Sequence, residues 1–403
     1  MTARAPRVLL GVTGGIAAYK SAEVIRRLRD LQCDVTVAAT ASAHRFVGEA
    51  TWAALSGRPV LTNLWQHAEV VGHVSAARSS DVILVAPATA DFMARLVHGR
   101  SDDVLSAIVL MAQCPVVIAP AMHTEMWLDP TTQCNVASLR SVGMLVLDPA
   151  KGRLTGPDDG PGRLPAPESL ADIAYCAAQR SNGADLAGQH VVVSAGGTRE
   201  AWDPVRWLGN RSSGRMGYAV AAAAVARGAR VTVIAANVDL PDVAGAQTVA
   251  VSDHAHLEAA VQAAALTADA VVMAAAVADF TIAAEPTKIK KHHDATPSVQ
   301  LLPTTDVLAG LAARRQGRHP ILIGFAAETA KDAAELEAAA RQKLASKKCD
   351  AIVANDVSES AVFGKSHASV LIAHANGSVH AIHDANKLDI AQHVCDLLVP
   401  AAQ

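Results

Sequence analysis

The stretch Val8-Leu9-Leu10-Gly11-Val12-Thr13-Gly14-Gly15-Ile16-Ala17 runs an apolar strand into a glycine turn. Far downstream, Val191-Val192-Val193-Ser194-Ala195-Gly196-Gly197-Thr198-Arg199-Glu200 repeats the device. Glycine accepts positive φ and lets backbone N–H groups approach an anion closely. A strand ending in glycines ahead of a helix is how α/β folds open a phosphate site. Two such openings predict two nucleotide-type sites, and two chemistries, in one chain.

The composition suits that reading. Of 403 residues 51% are hydrophobic but only 3% aromatic, so the cores are built from Ala, Val, Leu and Ile, as in parallel sheets covered on both faces. Strands are expected at Val8–Val12, Asp34–Ala38, Asp81–Ala86, Pro115–Ala119 and Met144–Leu147, with helices at Ala17–Leu31, Asp91–Leu96 and Val104–Met111 between them. Asp148–Pro167, with four Gly and five Pro, reads as a flap-like loop. A helix at Glu168–Ala178 and a linker at Gln179–Gly188 follow. The alternation then restarts through Val191–Ser194, Tyr218–Ala226, Arg230–Ala235, Ala270–Met273, Ile321–Phe325, Ala330–Ser346 and Ala351–Ala354. The fold class is α/β, with domains expected at 1–180 and 185–403.

A net charge of −3 with well-mixed charges excludes a nucleic-acid surface. Apolar runs are too short for a membrane span. Six scattered cysteines form no CxxC pair, and no leader precedes the first strand, so a cytoplasmic enzyme is expected.

In the first half, four motifs occur in order: GVTGGIAAYKS (11–21), GHVS (72–75), APATAD (86–91) and PAMHTEMW (120–127). Together they resemble the flavodoxin-like, FMN-dependent cysteine decarboxylases, nearest to phosphopantothenoylcysteine decarboxylase, over residues 6–176. In that family the flavin oxidises the cysteine thiol to a thioaldehyde, CO₂ is lost and the reduced flavin returns the hydride. The resemblance implies FMN contacts at Gly14, Gly15, Ile16, Thr40, Ser42, Ala88, Thr89, Ser106 and Met122, with His73 as acid/base and carboxylate partner. Two positions depart from the family pattern. His123 stands where Asn is usual, and is the candidate for the lost carboxylate contact. Gly156 stands where the flap usually carries its proton-donating Cys. Actinobacterial members share PAMHTEMW and the GRLTG run (152–156).

In the second half, residues 196–217 form the densest polar stretch, an anion-binding turn ahead of the helix at Tyr218. Asp279 ends a strand, where a Mg²⁺ or ribose contact is natural, and Lys288-Ile289-Lys290-Lys291 follows on a loop. With AAAVADF (274–280), GFAAET (324–329) and KLASKKCDAIVAND (343–356), the half resembles phosphopantothenate–cysteine ligase over residues 187–398. The resemblance implies attack of the phosphopantothenate carboxylate on the CTP α-phosphorus, then capture of the acyl-CMP by cysteine. It places Asn210 on the acyl-cytidylate and Lys288 at its reaction with cysteine. Nucleotide and substrate contacts fall at Gly197, Arg206, Ser212, Ser213, Gly214, Ala275, Asp279, Lys288, Phe325, Lys343 and Lys347, with Mg²⁺ at Asp279. Arg215 stands where lysine is common.

Both halves together match the bifunctional bacterial coenzyme A biosynthesis family. The expected substrates are 4′-phosphopantothenate, L-cysteine and CTP, the cofactors FMN and Mg²⁺, and the assembly a homo-oligomer of trimeric flavin and dimeric ligase domains forming a dodecamer. The alternative is an active ligase whose flavin domain serves only FMN binding or oligomerisation. A flavin-dependent phosphatase-inhibiting regulator shares the first fold, but complete ligase motifs disfavour it.

Overall fold

Runs of Val, Ile, Leu and Ala that are buried on both faces form parallel strands in both halves, and Ala-rich helices cover them. A computed structural model describes residues 4–65, 72–154, 158–179, 183–290, 299–358 and 366–399. The chain divides into two units. The first comprises Met1–Asp185, Val225–Gly228 and Pro241–Gly245, and the second the remainder.

The first unit runs β1 (Arg7–Val12), α1 (Ser21–Asp30), β2 (Asp34–Ala39), α2 (Glu49–Ser56), α3 (Gly72–Ser79), β3 (Val82–Ala88), α4 (Ala90–Val97) and α5 (Val104–Leu110). It continues through β4 (Val116–Pro120), α6 (Thr124–Leu128), α7 (Pro130–Ser141), β5 (Leu145–Val146), β6 (Ala150–Arg153), β7 (Asp159–Arg163) and α8 (Pro167–Ala178). The sheet order is β2-β1-β3-β4-β5, parallel throughout. That is the flavodoxin-like order, whose switch point lies between β1 and β3. Leu9, Ile83, Val85 and Ile118 pack on one face against Ala77, Phe92, Leu105, Ile108 and Val136 of α3, α4, α5 and α7. The helices α1 and α8 pack on each other.

Two expectations need correction here. The helix predicted from Ala17 opens as a tight 3₁₀ turn over Ile16–Lys20, and α1 starts only at Ser21. The predicted flap loop contains the antiparallel hairpin β6–β7, with Gly152 at φ +136° and Gly162 at φ +151°. Only glycine adopts those angles without strain, so the residues that suggested an irregular loop are the ones that shape the hairpin.

The second unit runs β8 (His190–Gly196), β9 (Arg199–Asp203), β10 (Arg206–Gly209), α9 (Arg215–Ala226), β11 (Arg230–Ala236), β12 (Ala246–Val251), α10 (His254–Ala265), β13 (Ala270–Met273) and β14 (Phe280–Ile282). It ends with β15 (Leu301–Pro303), α11 (Val307–Arg314), β16 (Ile321–Glu328), α12 (Ala333–Lys347), β17 (Ala351–Asp356), β18 (His367–His374), β19 (Val379–Asn386) and α13 (Lys387–Asp396). Its eight-stranded order is β12-β11-β8-β13-β16-β17-β18-β19, and β18 and β19 join antiparallel. The polar stretch read as an anion-binding turn also contains the hairpin β9–β10 ahead of α9. The helix predicted from Ala330 starts at Ala333, because Asp332 caps it by accepting the Glu335 N–H. Among the described residues no helix is long and apolar enough to cross a membrane.

The same tie holds both switch points. In the first unit the buried Thr13 hydroxyl donates to the Pro87 carbonyl (2.8 Å) and accepts the Thr89 N–H (3.0 Å). This clamps the loop after β1 to the loop after β3. In the second unit the buried Thr198 hydroxyl accepts the Ala278 N–H (2.9 Å), and the Thr198 N–H donates to the Ala276 carbonyl (3.2 Å). Thr13→Val leaves the Thr89 N–H without its acceptor at nearly constant volume. The expected loss is about 1–3 kcal/mol of stability, read from denaturant unfolding of the intact chain. An unchanged unfolding midpoint would show that the clamp contributes nothing.

Candidate functional site

Each unit places a cavity at its switch point. In the first, a cavity of about 410 Å³ is lined by Gly14, Gly15, Ile16, Thr89, Met122 and His123, all predicted, together with Tyr19, Lys20, Met126, Arg153 and Arg163. A Cβ on Gly14 would lie 2.3 Å from Ser42 Cβ, so only glycine lets the loop after β1 close on the loop after β2. Likewise a Cβ on Gly162 would meet the Met122 carbonyl at 2.2 Å, so glycine there lets β7 close against the end of β4. Ile16, 58% exposed, and Met126, 48% exposed, present apolar surface beside glycine backbone. A planar, phosphate-bearing flavin suits this set: apolar walls, a glycine turn and, just past β2 where its N–H donates to the Val12 carbonyl, the buried Thr40 Oγ1 with no hydrogen-bond partner among the described residues.

Other predicted flavin residues stand behind the lining. Ala88 is fully buried and its carbonyl accepts the Ala121 N–H. The fully buried Ser106 forms a capping box with Asp103 at the start of α5. Its hydroxyl is engaged with Asp103 at the helix terminus, and Ser106 is not among the cavity's lining residues. His73 lies on α3, which packs on α5, and it does not join His123 in the cavity. Its buried Nδ1 has no hydrogen-bond partner among the described residues. Gly156 lies outside the described residues.

In the second unit Ser212, Ser213, Gly214, Ala275 and Phe325 line a cavity of about 180 Å³ with Arg215, Asn355 and Lys387. Burial, reinforced by the Arg215 charge, holds the Lys387 ammonium below the ordinary lysine value. Gly217 brings α9 down on β8, for a Cβ there would lie 2.6 Å from Ala195 Cβ. Asn210 donates its Nδ2 to the Ala276 carbonyl at 3.0 Å, and a Cβ on Gly197 would stand 3.3 Å from the Asn210 carbonyl. Sequence reasoning missed Lys387 because its strand and helix follow the parallel repeat and join the sheet antiparallel. Asn355 ends β17, and its position at a parallel strand's C-terminal edge was the available signal.

The remaining predicted ligase residues lie apart from this cavity. Lys288 lines a separate cleft of about 880 Å³ with Trp202, Glu285 and Lys290. Arg206, expected to neutralise phosphate, instead donates to the Ile289 carbonyl (2.8 Å) and stacks over Trp202 at 5.3 Å. Lys343 pairs with Glu328 at 2.7 Å, and Lys347 pairs with Asp306. Burial would raise the Asp306 pKa, but the Ala309 N–H and Lys347 hold it below the ordinary value. Both α12 lysines are thus already neutralised by carboxylates of their own chain. Asp279 is exposed, and the described residues contain no group of three or more His, Cys, Asp or Glu able to hold a metal. Lys291 lies outside the described residues.

Comparison with known proteins also divides the chain in two. The Flavoprotein family model matches residues 2–178, and the model of the DNA/pantothenate metabolism flavoprotein C-terminal domain matches residues 186–401. The coenzyme A biosynthesis bifunctional protein CoaBC of Mycobacterium tuberculosis (strain H37Rv) is 47% identical over 98% of this chain and 96% of its own. The Escherichia coli K12 protein of the same description is 40% identical over 89% and 88%. A crystal structure of the C-terminal domain of such a protein is 31% identical and covers 53% of this chain and 95% of its own, with a TM-score of 0.44.

The loop carrying Lys288 hangs on Asp203. Burial would raise this carboxyl's pKa, but the N–H groups of Val205, Ile289 and Arg206 and the Arg206 charge together hold it low. A depressed carboxylate pKa means the tie is intact above the unfolded value of about 4 and is lost as pH falls through the folded one. Asp203→Ala should therefore lower the hydrogen-exchange protection of Ile289 and Val205. In the unsubstituted chain the same amides should loosen only at acid pH. Protection indifferent to both changes would remove Asp203 from this role.

Proposed function

This chain belongs to the family of bifunctional coenzyme A biosynthesis proteins, and we propose that its two cavities divide the two reactions. The chain carries that family's flavoprotein decarboxylase domain and its ligase domain. The second unit would join 4′-phosphopantothenate to L-cysteine at the expense of CTP, and the first would decarboxylate the product to 4′-phosphopantetheine. The observation that carries this reading is the clustering of Ser212, Ser213, Gly214, Arg215 and Lys387 around one cavity at a switch point, with Asn210 fixed to its wall through Ala276.

In the ligase site the Ser212–Gly214 turn and Arg215 would take phosphate oxygens at the start of α9, while Gly197, Ala275 and Phe325 line the substrate. The substrate carboxylate attacks the α-phosphorus, pyrophosphate leaves, and the amine of cysteine displaces CMP from the acyl-CMP. Asn210 spends its amide N–H on Ala276, which leaves its oxygen to the acyl-cytidylate. Asp279 would hold Mg²⁺ as a single carboxylate alongside nucleotide phosphates, the usual arrangement for that ion. Lys343 and Lys347 exchange Glu328 and Asp306 for phosphate when nucleotide enters, so the triphosphate meets cations already positioned on α12. Lys288 would reach the acyl-CMP through its own long side chain, from a loop that Arg206 and Asp203 anchor at Ile289.

In the flavin site, FMN when bound supplies the hydride acceptor and donor. Ile16, Thr89 and Met122 would flank it, Gly14 and Gly15 would admit its phosphate, and Thr40, Ser42, Ala88 and Ser106 would shape the backbone around them. His123 would hold the substrate carboxylate. His73 would supply the acid/base group from a neighbouring copy, since within one chain it stands outside this cavity. The reading includes a cytoplasmic homo-oligomer of trimeric flavin and dimeric ligase units, in which such a neighbouring copy would be at hand.

The intact chain, supplied with 4′-phosphopantothenate, cysteine and CTP, should release CMP, pyrophosphate and CO₂. Lys288→Gln should still release pyrophosphate and accumulate acyl-CMP, with cysteine capture slowed about 100-fold or more. His73→Ala should spare CMP release and stop CO₂ release. CMP without CO₂ from the unsubstituted chain would favour the reading in which the flavin unit only binds FMN or assembles the oligomer. Absence of CMP would refute the ligase assignment.

A further inference from the structure

Glu200 on β9 is a buried carboxylate, 5% exposed, that no Lys or Arg pairs with among the described residues. A charge taken out of water is costly unless donors satisfy it. Both Glu200 oxygens are used. Oε1 accepts the His254 N–H at 2.9 Å, and Oε2 accepts the Thr281 hydroxyl, also at 2.9 Å. The carboxylate thus joins β9 to the start of α10 and to β14, and its two acceptors suit two donors arriving from different elements. From α10 the tie continues. His254 Nε2 donates to the Thr305 carbonyl (2.7 Å), and the Thr305 hydroxyl donates to Glu258 of the same helix (2.7 Å). The preceding residue, Thr304, donates its hydroxyl to the Ala278 carbonyl (2.7 Å) and its N–H to the Asp279 carbonyl (3.0 Å). Two arms therefore run from Glu200 to Asp279, one through Thr281 and the other through His254 and Thr304. The Asp279 carboxylate is itself exposed, so its direction is set by the backbone beneath it.

We propose that Glu200 is a positioning residue for nucleotide binding: it fixes the backbone that carries Asp279 and so aims the Asp279 carboxylate at CTP. The inference rests on the ligase reading of the second unit, with Asp279 as a nucleotide contact. Glu200 acts through Asp279 and not on the substrate, because both its oxygens are spent on the protein. The loop carrying Lys288 has separate anchors, for Asp203 accepts the Ile289 N–H and the Trp202 carbonyl accepts that of Glu285. Loss of the Glu200 tie is therefore felt at the nucleotide and not at the capture of cysteine. Misplacing a binding group by a fraction of its reach weakens the contact without removing it.

The test measures CTP affinity by calorimetry, and the KM of each substrate from CMP release, on the intact chain. Glu200→Ala and Thr281→Val should each weaken CTP binding and raise its KM about 10-fold, with the KM values for 4′-phosphopantothenate and cysteine unchanged. Thr281→Val cuts one arm at nearly constant volume, so it carries the test if Glu200→Ala does not fold. Glu200→Gln should keep most of the affinity, since its carbonyl accepts from His254 and its amide donates to a Thr281 hydroxyl turned round. Thr281→Ser should keep it too. In an Asp279→Ala chain, Thr281→Val should weaken CTP binding no further, because residues acting through one contact are not additive. A merely structural role would affect all three substrates alike. CTP affinity unchanged in Thr281→Val, an equal rise in all three KM values, or a full further loss in the Asp279→Ala chain overturns the proposal. Failure of the unsubstituted chain to bind CTP overturns the ligase reading, and the proposal with it.

Discussion

A buried threonine hydroxyl governs each site. Thr13 and Thr198 both follow the first strand of their sheet, and each hydroxyl accepts an N–H from the segment after the strand across the switch point, β3 and β13 respectively. Parallel sheets leave their strand ends without partners at the edge where ligands bind. A side-chain oxygen at that edge satisfies a buried amide, whose cost when unpaired exceeds the value of an ordinary hydrogen bond. It also fixes the separation of the two loops that flank the crevice. The glycine turns can then present backbone to a ligand because their positions are already held.

Cations gather around both crevices. On the ligase side, Lys343, Lys347 and Arg206 are occupied by Glu328, Asp306 and the Ile289 carbonyl. Such pairing keeps long cationic chains in place, and a triphosphate can displace a carboxylate because its charge is larger. Lys387 and Arg215 line one cavity together, and no Asp or Glu is among its described lining residues. On the flavin side Lys20, Arg153 and Arg163 likewise share one lining, drawn from the 3₁₀ turn and the hairpin.

Hairpins account for most of the difference between the chain as a string and the chain as a fold. Residues 150–163 and 199–209 are rich in Gly, Pro, Asp and Arg, a composition that also describes irregular loops. In each case a long-range contact decides the matter. Gly162 passes within reach of the Met122 carbonyl only because its side is open, and Asp203 gathers the amides of Val205, Arg206 and Ile289. Period-2 alternation is absent from both stretches, so local pattern has nothing to detect. The antiparallel pair β18–β19 escapes for a related reason: it lies beyond the regular repeat, yet its Ala368, Val370 and the following Lys387 close the ligase cavity.

The amino-acid sequence by itself determined the α/β class, the two strand–glycine openings and the identity of most residues at them, because apolar runs and glycine turns are local features with local physical causes. Only the tertiary structure decided which of those residues share a cavity. It left His73 apart from His123, set Lys288 in a cleft of its own and turned Ser106 to a helix cap. It also brought Lys20 and Arg163 to one recess and Lys387 to another. Those outcomes depend on which distant segment fills each space and which buried polar atom must find a partner there, and neither is encoded within any short stretch of chain.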